Sequence, residues 1–442
     1  MGPEVVTIES DTTLPASTDI VVIGGGIVGA STALALSRKG IAVTLCEKGM
    51  IGAEQSSRNW GWVRKNGRDA REIPLMVESM RLWHGLGPLE QADTGFKVTG
   101  VLSVAVSEAD QARHERWAEN SRIWQTGSRV ISPAEIAELL PGATRTFRSA
   151  LYNSTDGRAE PQKAAPAIAA AARARGAHIL QSTAVRGLDI AGGQVRGVFT
   201  EKGRIACSAV VVAGGAWSRL LLENHDLTLP QLKVLASVAR TSPIEGLPEV
   251  SAYTGKVAFR KRDDGGYNFA QSGTVVAPIV PDTIRFLPKF LPALRAERRA
   301  LKPRLDHRFM EAVRQPRHWS MDRPTVFERV RTLDPAPVAS LLKQAEEAFL
   351  SLFPKAAGMK VVQTWGGMID VLPDAVPTIS PVPGVAGLIV ATGFSGHGFG
   401  IGPGAGQLAA DLATGADPVV DPSPFRWTRF TDGSKIQIDV GF

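Results

Sequence analysis

The sequence predicts an α/β fold in which a Rossmann-like dinucleotide-binding domain is interleaved with a smaller α+β domain built on an antiparallel sheet. Three observations predict it. A strand, a glycine-rich turn and a helix succeed one another near the amino terminus, and a second glycine loop runs into a helix near the carboxyl terminus. Between them lies a stretch of short strands joined by tight turns.

The run from Asp19 to Glu47 reads DIVVIGGGIVGASTALALSRKGIAVTLCE. Its apolar, β-branched start, Ile20 to Ile23, predicts a buried strand; Gly24-Gly25-Gly26-Ile27-Val28-Gly29 predicts the turn, and Ala30 to Arg38 the helix. Gly24 permits the turn, Gly26 lets a pyrophosphate approach the backbone, and Gly29 lets the helix lie close on its strand, with the helix N-terminus facing the phosphates. The next strand, Ile41 to Cys46, ends in Glu47, eighteen residues past Gly29, with Lys48 beside it at the cofactor. A carboxylate there accepts bonds from an adenosine ribose and disfavours a 2'-phosphate, which fits FAD or NAD better than NADP.

Composition narrows the class. With 442 residues, 44% of them hydrophobic and 21% charged, the chain matches a soluble protein of more than one domain with a large core. No apolar stretch approaches the ~20 residues of a membrane span, and the opening residues lack the pattern of a signal peptide, so the expected compartment is cytoplasmic. Cys46 and Cys207 are the two cysteines; without a CxxC or a cysteine–histidine cluster, disulfide reductase and metalloenzyme readings fall away, and no metal site is expected. The formal charge is +7, and thirteen Lys or Arg against six Asp or Glu fall between Asp282 and Arg331. There Arg285, Lys289, Arg295, Arg298, Arg299, Lys302, Arg304 and Arg308 alternate with Phe286, Leu287, Phe290, Leu291 and Leu294. Such a mixture suits a solvated helix, or peripheral contact with an anionic membrane or an acidic partner. Nucleic acid is not expected, because no binding motif accompanies the charge.

In chain order, residues 1–18 read as a flexible lead. A polar and aromatic loop after the first unit turns into a helix from Ile73 to Leu86; Gly100 to Val106 reads as a strand, Ser107 to Leu140 as helix, and Gln162 to Arg175 as an alanine-rich helix. Strands follow at His178 to Gln181, Gln194 to Thr200 and Arg204 to Val212, the last feeding Ala213-Gly214-Gly215-Ala216-Trp217, a turn placed beside the first unit, with Gly214 and Trp217 at the cofactor. Short strands Val234 to Ala239, Val257 to Arg260 and Tyr267 to Ala270, joined by turns such as Asp263-Asp264-Gly265-Gly266, predict the antiparallel insert. The cofactor domain is expected to resume with Val361 to Gly366 and to finish with a helix from Gly404 to Thr414. The resulting division assigns 19–90, 150–224 and 355–442 to the cofactor domain and 91–149 with 225–354 to the substrate domain, the latter carrying the basic segment 282–331.

The opening fingerprint, the AGGAW segment, Trp365-Gly366-Gly367 followed by Leu372-Pro373-Asp374, and GFSGHGFGIGPGAG resemble the D-amino acid oxidase-like superfamily of FAD enzymes over nearly the whole chain. Within it, EKGMIGAEQSSR, VVVAGGAWSRL, FRKRDDGGY, LPKF and DPSPFRWTRF resemble segments of bacterial L-amino acid deaminases in matching order. The resemblance implies that Gly24, Gly26, Ile27, Val28, Gly29, Glu47, Gln55, Ser56 and Ser57 touch FAD from one side, that Val185 meets the adenine, and that Gly396, His397, Gly398, Phe399, Gly400 and Ile401 face the flavin. Arg260 matches the arginine that such deaminases place on the substrate carboxylate, a role suited to a guanidinium fork, the alternative being a surface arginine beside Lys261 and Arg262. Tyr267 would add a hydroxyl to that pocket or pack as a core aromatic, Trp365 would form a wall or pack in the core, and His397, where the deaminases have a large aromatic, would tune the ring, deprotonate an ammonium or bond backbone as a structural histidine. The loop Arg58 to Arg71, with Arg58, Trp60, Trp62, Arg64 and Arg68, departs from the deaminases and supplies rival anchors.

Some relatives bind flavin through a cysteine near the WG segment; Gly367 and Met368 stand there, so the FAD is expected to be noncovalent. The implied reaction is oxidation of the carbon–nitrogen bond of an amino acid or N-substituted amino acid by hydride transfer to flavin N5, with hydrolysis of the imine to an oxo acid and ammonia or amine. The electron acceptor stays open between oxygen and a carrier. The alternatives are a 2-hydroxy acid oxidase or dehydrogenase, which would keep the carboxylate anchor, and a flavin-binding subunit of a larger dehydrogenase complex.

Overall fold

The computed structural model describes residues 2–298 and 300–439, so Arg299 of the basic segment lies outside the described residues. Its centre is a six-stranded sheet in the order Thr378–Pro381, Leu388–Thr392, Ala209–Val212, Ile20–Ile23, Val43–Cys46 and His178–Leu180, parallel except at the first strand. These strands read as nearly unbroken apolar runs because helices cover one face and the three-stranded sheet of Val185–Ala191, Gln194–Thr200 and Gly203–Ala206 packs on the other.

Helix Ile27–Arg38 packs against helix Gly398–Thr414, so the two ends of the chain share one core. Small residues make this approach work. A Cβ on Gly406 would lie 2.5 Å from the Ser31 side chain, and one on Gly402 would lie 2.8 Å from the Ile27 side chain.

The second layer is a ten-stranded mixed sheet. Most of its pairs are antiparallel, while Ser251–Tyr253 with Val101–Ala105 and Val275–Pro278 with Leu301–Arg304 are parallel. Helix Ala339–Leu352 packs on it through Leu342, Ala345 and Phe349, the last stacked on Phe269 at 5.6 Å.

Several boundaries differ from the sequence expectations. Strand Val361–Val371 belongs to this mixed sheet, pairing with Leu232–Thr241, so the chain re-enters the parallel sheet only at Thr378–Pro381. The stretch 107–140 is broken between helices Glu108–Asn120 and Pro133–Leu139 by strand Arg129–Ile131, whose residues gain more from pairing with Ser149–Asn153 than from continuing a helix. Gly203–Ala206 and Ala209–Val212 lie in different sheets. The final helix starts at Gly398, six residues before Gly404, and takes Pro403 within it. The lead is not loose: Val6 donates its amide to Gln162, Asp11 to Ile179, and the Asp11 carboxylate accepts from Ile179 and Arg173.

Candidate active site

One continuous cavity of about 1050 Å³ runs between the two layers. Its lining includes Gly24, Gly26, Ile27, Val28, Glu47, Lys48, Gln55, Ser56, Val185, Gly214 and Trp217, and from the carboxyl-terminal loop Gly396, His397, Gly398, Phe399 and Gly400. Gly29, Ser57 and Ile401 stand behind this wall: Gly29 presses on Gly24, the Ser57 hydroxyl donates to the Glu54 carbonyl, and Ile401 is fully buried core.

The amino-terminal glycine loop is tied by its own acid. Glu47 accepts from the amides of Gly25 and Gly49, both at 2.7 Å, and burial pushes its carboxyl above the ordinary range against those bonds. Ser56 Oγ accepts from the Ile27 amide at 2.8 Å. Lys48 turns its ammonium to Glu54 and to the carbonyls of Val330 and Arg331, 4.6 Å above the Trp217 ring.

Arg260, Tyr267 and Trp365 do not line the cavity. The Arg260 guanidinium is completely buried and committed: Nη1 and Nη2 reach Glu160 at 2.7 and 3.0 Å, and Nε donates to the Trp60 carbonyl at 2.6 Å. A buried cation takes whichever anion the fold supplies, and here that anion is Glu160. Tyr267 lies in the core under Phe259 and Phe349, its hydroxyl donating to the Pro248 carbonyl. Trp365 packs with Val238 and Ala270 and donates Nε1 to the Arg58 carbonyl.

The loop after Ser57 takes the vacated place. Arg58 lines the cavity but is held by Asp334 at 2.6 Å, and Trp60, Trp62 and Arg64 line it as well, with Trp117, Tyr253 and Gln271. Asp156 fixes this loop by accepting from the amides of Lys65 and Asn66, both at 2.9 Å, and burial draws its carboxyl up to about 6. Arg64, half-buried, bonds only the Asn66 carbonyl among the described residues and meets no carboxylate within ion-pair distance. Burial, with Arg68 nearby, pulls its pKa down to about 9, still charged at neutral pH.

His397 caps the final helix and lines the cavity. Its Nδ1 lies 3.4 Å from Glu72, a fully buried carboxylate at the start of helix Ile73–Glu90, and Arg68 Nη1 lies 3.7 Å from the same oxygen. Burial lowers the His397 pKa and Glu72 opposes that shift. Sequence reasoning missed Glu72, Trp117, Tyr253 and Gln271, because nothing in their spacing announces that the fold gathers them here.

The family model for FAD dependent oxidoreductases, DAO, matches residues 19–412. The chain belongs to this family. The structure of the L-amino acid deaminase from Proteus myxofaciens in complex with anthranilate superposes with a TM-score of 0.94 at 30% identity, covering 98% of this chain and 97% of that one. Glycine oxidase of Pseudomonas putida is 26% identical over 92% of this chain and 98% of its own length, and sarcosine oxidase subunit beta of Rhodobacter capsulatus is 24% identical over 96% and 91%.

The DAO cofactor, FAD, fits the residues present. The cavity joins the glycine turn to the carboxyl-terminal loop, and two helix N-termini, at Gly26 and His397, open onto it. A Cβ at Gly24 would fall 2.5 Å from the Ala213 carbonyl at a φ of +105°, so the turn keeps its tight path only with glycine there. Among the described residues no helix is long and apolar enough to cross a membrane.

Proposed function

We propose that this FAD-dependent oxidoreductase oxidises the carbon–nitrogen bond of an amino acid or N-substituted amino acid whose carboxylate docks on Arg64. The observation that carries the reading is that cation: it lines the cavity without a carboxylate partner, while Arg260 is spent on Glu160. A half-buried guanidinium without a carboxylate partner gains most from an anion that brings two parallel acceptors. The names glycine oxidase, sarcosine oxidase and L-amino acid deaminase among the relatives support an amino acid substrate.

FAD would be held by Gly24, Gly26, Ile27, Val28, Glu47, Lys48, Gln55, Ser56, Val185, Gly214 and Trp217 and by the 396–400 loop, and when bound it supplies the two-electron acceptor. The protein's own groups do the rest. Arg64 fixes the carboxylate and so the α-carbon, Trp60, Trp62 and Trp117 keep the site dry, and His397 takes the ammonium proton, leaving a neutral amine. Water then converts the imine to an oxo acid and ammonia or amine.

Anaerobic mixing with a panel of amino acids, N-methyl amino acids and 2-hydroxy acids tests this. Bleaching of the flavin near ~450 nm by an amine supports the reading. Bleaching by hydroxy acids alone would replace it with the 2-hydroxy acid alternative, and bleaching by none would point to a flavin-binding subunit.

A second contact has its own observation. Helix Leu287–Ala296, which follows the buried Phe286, buries Phe290 and Ala293 and leaves Leu287, Leu291 and Leu294 exposed, and Arg295, Arg298, Lys302 and Arg304 in the same stretch are exposed as well. Exposed leucines with exposed cations in the same stretch suit an anionic lipid surface. The protein is expected to pellet with vesicles containing phosphatidylserine and to release as salt rises; no pelleting at low salt would refute the contact.

A further inference from the structure

Glu72 is among the most enclosed carboxylates of the described residues: it has no exposed surface, and neither oxygen has a hydrogen-bond partner of good geometry. An ionised carboxylate in that state is costly unless cations compensate it. Two positive or protonatable groups approach within 4 Å, Nδ1 of His397 at 3.4 Å and Nη1 of Arg68 at 3.7 Å, and both are themselves buried and unpartnered. Arg68 is otherwise occupied, with Nη2 donating to the His397 carbonyl at 3.1 Å and Nε to the Arg64 carbonyl at 3.2 Å. The contact between carboxylate and imidazole therefore lies at the boundary between the cavity and the core, beneath the ring that lines the site.

We infer that Glu72 is a positioning residue for His397, a role that rests on the proposed amine oxidation. Glu72, 3.4 Å from Nδ1, is placed to draw the ring proton to that nitrogen and so leave Nε2 for the cavity. A neutral imidazole carries one proton, so fixing it at Nδ1 makes Nε2 the acceptor. The proton lost by the substrate ammonium forms a bond to Nε2, the nitrogen lone pair stays on the amine, and the imidazolium so formed is neutralised by Glu72. Charge balance favours this arrangement, since Arg64 and Arg68 from the same loop both oppose a second positive charge and Glu72 is the anion that counters them. Asp110, Arg113, His114 and Arg116 on helix Glu108–Asn120 and Asp370 on strand Val361–Val371 line the same cavity.

The test uses the FAD-loaded protein labelled with 15N-histidine. Long-range 1H–15N spectra report both the tautomer and the titration of each ring, and the His397 signals are identified by their loss in His397→Asn. In wild type the Nδ1–H tautomer is expected for His397, and an Nε2–H tautomer overturns the proposal without any change to Glu72. In Glu72→Gln the His397 pKa should fall by about 1 to 3 pH units, and the acid limb of kcat/KM should move with it. An unmoved pKa in a folded variant that binds FAD overturns it as well. Should no amine be oxidised at all, the spectra still decide the contact, so failure of this inference and failure of the proposed reaction can be told apart.

Discussion

Glu160→Gln separates a structural Arg260 from a substrate-binding one. Glu160 caps helix Pro161–Ala174 and holds Arg260 on strand Val257–Lys261 by two bonds, while also accepting from the Asp263 amide at 2.9 Å. Despite burial, which raises it, the paired guanidinium draws the Glu160 carboxyl down from 4.5 to about 2. At ~1.4 kcal/mol per pH unit that displacement corresponds to about 3 kcal/mol of folding stability. Removing the charge of Glu160 alone leaves a buried cation unpaired, which costs about 3–5 kcal/mol by analogy with other broken buried pairs. The sign follows from the depressed pKa: the stabilisation is present above pH 4.5 and lost as the pH falls towards 2. Urea denaturation at pH 7, followed by tryptophan fluorescence and flavin release together, should show a lower midpoint for Glu160→Gln. Over the acid range the variant should lose less further stability than wild type. If Glu160→Gln and Arg260→Lys both keep the wild-type midpoint while KM for carboxylate substrates rises, Arg260 is the anchor and the assignment to Arg64 is wrong.

Other outcomes follow from the same geometry. Arg64→Ala should lower kcat/KM by about 100-fold or more with flavin content retained, the size expected for losing a bidentate charged contact, and unchanged kinetics would remove Arg64 from the site. Asp156→Ala should mimic it in KM while Arg64 remains, because the amides of Lys65 and Asn66 lose their acceptor; a wild-type KM would show that the loop holds itself. Burial pushes Cys46 up to about 12 and Cys207 up to about 11, so native protein should react slowly with a thiol reagent at pH 8 and expose both thiols on denaturation. Acid precipitation should leave the flavin in the supernatant; yellow pellet would mean a covalent tether.

Local pattern carried much of the architecture. The first strand, glycine turn, helix and acid are legible because each is set within a few residues: β-branched runs bury, glycine turns, and Gly29 meets Gly24 at a distance that only a missing Cβ allows. Boundaries decided by partners elsewhere were not legible. Arg129–Ile131 becomes a strand because Ser149–Asn153 lies beside it, and the lead is ordered because Asp11 reaches Ile179. Likewise, the place of Val361–Val371 in the mixed sheet is set by the long partner Leu232–Thr241.

By itself the sequence determined a dinucleotide site built from both ends of the chain, since glycine spacing, strand pattern and a terminal acid are short-range properties. Which arginine is free to meet a substrate was decided by tertiary structure alone. Arg260 and Arg64 are the same residue type, and the difference between them is a carboxylate one hundred positions from Arg260, Glu160, that folding brings to 2.7 Å of one and not of the other. A buried charge binds its nearest opposite, and only the folded chain fixes which that is.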